Sequence, residues 1–71
     1  MSKKIFIYAN DGETSKRTEK KLKQKLDKSG FVLLPVYRED ADLLVCIGGD
    51  GTFLHTIHKF DFPTMPIIGI N

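Results

Sequence analysis

Four short apolar runs punctuate this chain: Ile5 to Tyr8, Phe31 to Leu34, Leu43 to Ile47 and Ile67 to Ile70. Ile5-Phe6-Ile7-Tyr8 forms the continuous run expected of a strand covered on both faces. The first, a strand over Lys4–Ala9, is predicted to be central. Asn10-Asp11-Gly12 then supplies turn chemistry, because Asn and Asp tolerate left-handed backbone and Gly adopts it freely. Two readings are open: a plain turn, or a turn at the carboxyl edge of the sheet beside a functional loop. Thr14 to Ser29 is rich in Lys, Glu, Gln and Leu and predicts a helix, with Gly30 as its stop. Its start is weakly marked, since neither Thr14 nor Ser15 has Glu or Gln three residues later to complete a capping box. Leu22 and Leu26 are its one clear apolar pair, extended by Thr18, Ser29 and lysine stems, so the helix should cover the sheet lightly.

The second strand, Phe31–Leu34, ends at Pro35, which cannot donate to a ladder and argues for a sheet edge. Only Tyr37 to Asp42 separate Val36 from the third strand, whereas a parallel crossover normally takes a dozen or more residues. Either the second strand is very short or the connection returns across the sheet end without a helix. After the third strand, Leu43–Ile47, comes a glycine loop and then a helix from about Thr52 to Lys59, whose residues Phe53, Leu54, Ile57 and Phe60 form an apolar stripe. Two prolines bracket Thr64 and Met65 in a loop over 61–66, and the fourth strand is Ile67–Ile70. No internal repeat or low-complexity linker interrupts the pattern.

Cys46-Ile47-Gly48-Gly49-Asp50-Gly51-Thr52-Phe53-Leu54-His55 is thus strand, glycine loop and helix. That order builds a phosphate site: glycines let the backbone approach an anion, and the first N–H groups of the helix have no internal partners. Asp50 in the middle of the loop would repel phosphate by itself. Its presence points to a metal ion, a hydroxyl to be polarised, or both. The loop is not a P-loop, because no lysine follows the last glycine, and its glycine spacing is not the dinucleotide fingerprint.

Gly48-Gly49-Asp50-Gly51-Thr52 resembles the loop shared by NAD kinases, diacylglycerol-type lipid kinases and, in a close variant, 6-phosphofructokinases. Phe53-Leu54-His55 after it and Pro66-Ile67-Ile68-Gly69-Ile70-Asn71 beyond the helix are similar to the NAD kinase version, with the match strongest over residues 42 to 71. The resemblance implies a Rossmann-like or flavodoxin-like three-layer α/β fold with a parallel sheet in the order 2-1-3-4. On it, residues 1–71 form the N-terminal nucleotide-phosphate-binding domain, with the C-terminal β domain absent. It implies phosphorylation of the adenosine ribose 2′-hydroxyl of NAD by ATP or polyphosphate, a divalent cation such as magnesium, and a homo-oligomer through the parent enzyme. Without the further Gly-rich segment, the Asn-Glu or Asn-Asp motif and the β domain, the 71 residues alone are expected to be inactive. Their last strand would leave apolar surface and an open edge, favouring self-association or partial disorder. A lipid or sugar kinase and a non-catalytic interaction fragment are the alternatives.

On the resemblance, Asp50 is the catalytic base or orienter of the ribose hydroxyl, and Gly48, Gly49, Asp50, Gly51 and His55 hold the nucleotides. From the residues alone, Asp50 could equally cap the helix, the glycines could serve turn geometry, and Thr52 could donate to phosphate or cap. His55 and His58 lack a third ligand for zinc, and Cys46 inside the third strand reads as a small core residue rather than a nucleophile.

Composition bounds this picture. A chain of 71 residues, 41% hydrophobic and 28% charged, belongs with small globular domains, which bury only about 60% of the surface that their unfolded chain exposes. Its net charge of +2 hides a partition. Lys3, Lys4, Lys16, Arg17, Lys20, Lys21, Lys23, Lys25 and Lys28 precede Gly30, and only Arg38 and Lys59 follow it. Because the helical cations spread around the helix without interleaved aromatics, they read as a solvated face rather than a nucleic-acid surface. No apolar run spans a bilayer, Met1-Ser2-Lys3-Lys4 gives no targeting signal, and a single cysteine excludes an internal disulfide framework, consistent with a cytoplasmic setting.

Overall fold

The computed structural model describes residues 3–70, apart from the side chain of Asp50. The elements run β1 (Lys4–Ala9), α1 (Glu13–Lys28), β2 (Val32–Leu33), β3 (Leu43–Ile47), α2 (Asp50–Lys59) and β4 (Ile67–Ile70). All strand pairs are parallel, in the order β2-β1-β3-β4. The expected strand order, the central β1 and the edge position of β2 are therefore observed. Phe31–Leu34 contracts to a two-residue strand, and the nine residues from Leu34 to Asp42 return to β3 without a helix. That return is pinned to the start of β1, where Asp42 N–H donates to Lys4 O at 2.8 Å and the Asp42 carboxylate accepts from Lys4 N–H at 2.7 Å. Asp40 adds ion pairs to Lys4 (2.8 Å) and Arg38 (2.6 Å). The Lys4 hydrogen bond is the main cause holding the Asp40 carboxyl below its usual pKa.

The two faces of the sheet build two cores. Ile5, Ile7, Ala9, Val45 and Ile47 pack under Leu22 and Leu26 of α1, while Phe6, Leu44, Leu34, Ala41 and Met65 pack with Tyr8, Tyr37 and Phe60 on the α2 side. Helices on opposite faces make three layers, the only covering that buries both sides of continuous apolar strands. As expected, α1 covers lightly, and none of its residues is fully buried.

α1 begins one residue earlier than Thr14, because Gly12 is its N-cap and contributes no side-chain bond. At its far end Gly30 has φ +86°, with Gly30 N–H donating to Asp27 O (3.2 Å) and Phe31 N–H to Leu26 O (3.1 Å). These two bonds form a Schellman stop, and the accompanying hydrophobic contact comes from Leu26 and Phe31 in the same core. Of the α2 stripe, Phe53, Ile57 and Phe60 are half-buried, but Leu54 is exposed. The inward place falls instead to Thr56, fully buried at 0% exposure, its hydroxyl satisfied by donation to Thr52 O at 2.7 Å. Ile68 on β4, paired with Val45 and so on the same face as the α1-side cluster, stays half exposed.

Candidate functional site

The direction in which successive strands are added to the sheet reverses between β1 and β3. β1 leads through α1 to β2 on one side, and β3 leads through α2 to β4 on the other. In open parallel sheets the crevice at the carboxyl ends of two such strands is where ligands bind. Both loops with candidate chemistry open into it: Asn10-Asp11-Gly12 after β1, and Gly48-Gly49-Asp50-Gly51-Thr52 after β3. Backbone bonds tie them to the strand ends, Asn10 N–H to Ile47 O at 3.1 Å and Gly48 N–H to Ile70 O at 2.8 Å.

α2 starts two residues earlier than Thr52. Gly49, with φ −81° and ψ −174°, is its N-cap, without a side-chain cap bond. Asp50 is therefore the first helical residue and not the cap. Thr52 N–H returns to Gly49 O at 2.9 Å and Phe53 N–H to the same oxygen at 3.3 Å. The positive end of the helix dipole thus coincides with the glycine loop, a setting that favours an anion.

The three glycines, alike in the sequence, differ in the structure. Gly48 has φ +147°, and a Cβ there would meet Thr52 Oγ1 at 2.5 Å and Asn10 Nδ2 at 2.6 Å. This glycine serves the turn. A Cβ at Gly49 or Gly51 would meet no atom within 4 Å, and neither backbone is left-handed. The chain itself gives no steric reason for glycine at those two positions.

His55 lies one turn along α2, exposed, with its ring tilted at 35° to Tyr8 and the centroids 6.3 Å apart. Lys59 Nζ reaches within 5.9 Å of the same Tyr8 ring. His58 instead packs edge-on against Phe62, 5.3 Å between centroids. Among the described residues no three His, Cys, Asp or Glu side chains gather to hold a metal. Cys46 is buried in β3. Burial pushes its thiol pKa up against the opposing influence of a backbone bond and the Thr56 hydroxyl, so it is a core residue. Asn10, which sequence reasoning left between turn and function, stands beside the loop and donates to Thr52 Oγ1 at 3.2 Å. Its signal was the position alone, directly after a central strand.

Comparison with known proteins gives the chain its relatives. The chain is 46% identical over 70 residues to an NAD kinase of Finegoldia magna, covering 99% of this chain and 26% of that protein. It is 40% identical over 57 residues to NAD kinase 2 of Bacillus licheniformis, covering 80% of this chain and 21% of that one. An NAD kinase of Porphyromonas gingivalis is 38% identical over 52 residues, 70% of this chain and 18% of that protein. The chain therefore spans about a quarter or less of these relatives. The family model described as the ATP-NAD kinase N-terminal domain matches residues 3–71, and the chain belongs to that family.

Proposed function

We propose that the protein containing this chain is an NAD kinase and that this chain supplies its phosphate-binding first turn and its proton acceptor. The supporting observation is the pair Gly49 and Gly51. Among the described residues nothing beyond their chain neighbours and the helix's own backbone comes within 4 Å of where a Cβ would stand on either, and that space lies at a helix start in the crevice between β1 and β3. A ligand that must come against backbone accounts for it.

In this reading the 2′-hydroxyl oxygen of the adenosine ribose of NAD attacks the γ-phosphorus of ATP. A new P–O bond forms, the bond to the β,γ-bridging oxygen breaks, ADP leaves, and the hydroxyl proton passes to the Asp50 carboxylate. Positioning and charge stabilisation dominate such transfers. The first N–H groups of α2 and the Thr52 hydroxyl face the oxygens on which charge accumulates. Gly48 shapes the turn that presents them, and His55 contacts the dinucleotide one helical turn further along. A divalent cation such as magnesium would supply further charge stabilisation to the phosphoryl group, and among the described residues no group of side chains is assigned to it. Polyphosphate could serve as donor through the same terminal phosphoryl group. The cytoplasm is the compartment that this reading and the single thiol suit.

The test is an acceptor panel on the full-length protein with ATP and magnesium: NAD, diacylglycerol and fructose 6-phosphate. NADP as the only phosphorylated product supports the reading. A lipid or sugar phosphate in its place overturns it.

A further inference from the structure

The turn after β1 is joined to the phosphate loop by a bond that the mechanism above leaves unused. Asn10 Nδ2 donates to Thr52 Oγ1 at 3.2 Å, and the pair is partly buried. The direction of that bond is determined by the other end of the amide. Asn10 Oδ1 accepts the Gly12 N–H at 2.9 Å, which only the oxygen can do, so the NH2 group is left facing Thr52. A threonine hydroxyl has one proton. With its oxygen accepting from Asn10, Thr52 must send that proton elsewhere, and among the described residues no hydrogen bond uses it. Gly48 is kept bare by the same pair, since a Cβ there would strike both Thr52 Oγ1 and Asn10 Nδ2.

We propose that Asn10 is a positioning residue for phosphoryl transfer, holding the Thr52 hydroxyl as a donor to the transferring phosphoryl group at the start of α2. The inference rests on the kinase reading. Asn10 touches neither substrate. It acts through Thr52, by fixing which way a rotatable hydroxyl points.

The experiment is a double-mutant cycle on the full-length protein, with NADP formation and thermal unfolding as readouts. Asn10→Asp keeps the shape and the acceptor for Gly12 N–H but offers Thr52 a carboxylate oxygen, to which the hydroxyl donates, away from the phosphoryl group. kcat is expected to fall at least about tenfold with the unfolding midpoint unchanged. Thr52→Val should cost a similar factor, and Asn10→Asp made in the Thr52→Val background should cost several-fold less than in wild type. Asn10→Ser repeats the cycle without added charge, since its hydroxyl can still serve the turn but is too short to reach Thr52. Equal losses in both backgrounds, or no loss for either Asn10 variant, overturn the inference while leaving the kinase reading intact. A wild-type protein that forms no NADP overturns both.

Discussion

Alanine at each of the three loop glycines separates what the fold needs from what the ligand needs. At Gly48 the new Cβ would sit 2.5 Å from Thr52 Oγ1, 2.6 Å from Asn10 Nδ2 and 2.9 Å from Thr52 Cβ, on a backbone with φ +147°. Holding a non-glycine residue in that region costs about 1–3 kcal/mol. Relieving the contacts costs about 1–3 kcal/mol more, as in other overpacked sites. Domains of this length are stable by only about 4–11 kcal/mol, so Gly48→Ala should lose a large share of the total. Gly49→Ala and Gly51→Ala meet open space on ordinary backbone. Gly51→Ala, inside α2, should be neutral or stabilising by up to about 1 kcal/mol. Urea unfolding followed by circular dichroism, paired with an NADP assay, reads both axes. Gly48→Ala should unfold early, whereas the other two should fold like wild type and lose activity. A fully stable Gly48→Ala would refute the steric argument, and full activity in both Gly49→Ala and Gly51→Ala would refute the claim that a ligand occupies their space.

Two further outcomes follow from the core. Leu44 is 0% exposed at the centre of the α2-side cluster, so Leu44→Ala should cost about 2–5 kcal/mol, seen as a lower urea midpoint. Cys46 is a pH probe: its pKa is raised above 9.0 by burial, so the folded state holds the proton more tightly than the unfolded one. The resulting stability is fully present below the unfolded value and is lost as pH climbs through the folded one. The urea midpoint should therefore drop more between about pH 8 and pH 10 in wild type than in Cys46→Ala, and the thiol should resist modifying reagents until the chain unfolds.

The central strands were legible because burial on both faces writes a continuous apolar run, which Ile5–Tyr8 and Leu43–Ile47 carry; Ile67–Ile70 was legible from its isoleucines although none of its residues is buried. Helix starts were not, because both caps are glycines, Gly12 and Gly49, which cap without a side-chain signal. The residues before Thr52 read as loop, although Asp50 and Gly51 are already helical. Leu54 was assigned inward by spacing, but the position that faces the sheet is Thr56. A buried hydroxyl can occupy it because the Thr52 carbonyl accepts its proton. The partnership of Asn10 with Thr52 spans 42 positions, and no local pattern encodes it. Likewise the difference between Gly48 and its two neighbours lies in what surrounds each, not in the residue type.

The central claim is that Asp50, first in α2 at the crevice between β1 and β3, takes the proton of the ribose hydroxyl. Steady-state NADP formation by full-length Asp50→Asn tests it most directly, because Asn keeps the size of the side chain and removes its basicity. The account predicts a fall in kcat of about 10²–10⁴-fold, with the unfolding midpoint of wild type and little change in the KM for NAD. An Asp50→Asn enzyme that keeps kcat within a few-fold of wild type would contradict it.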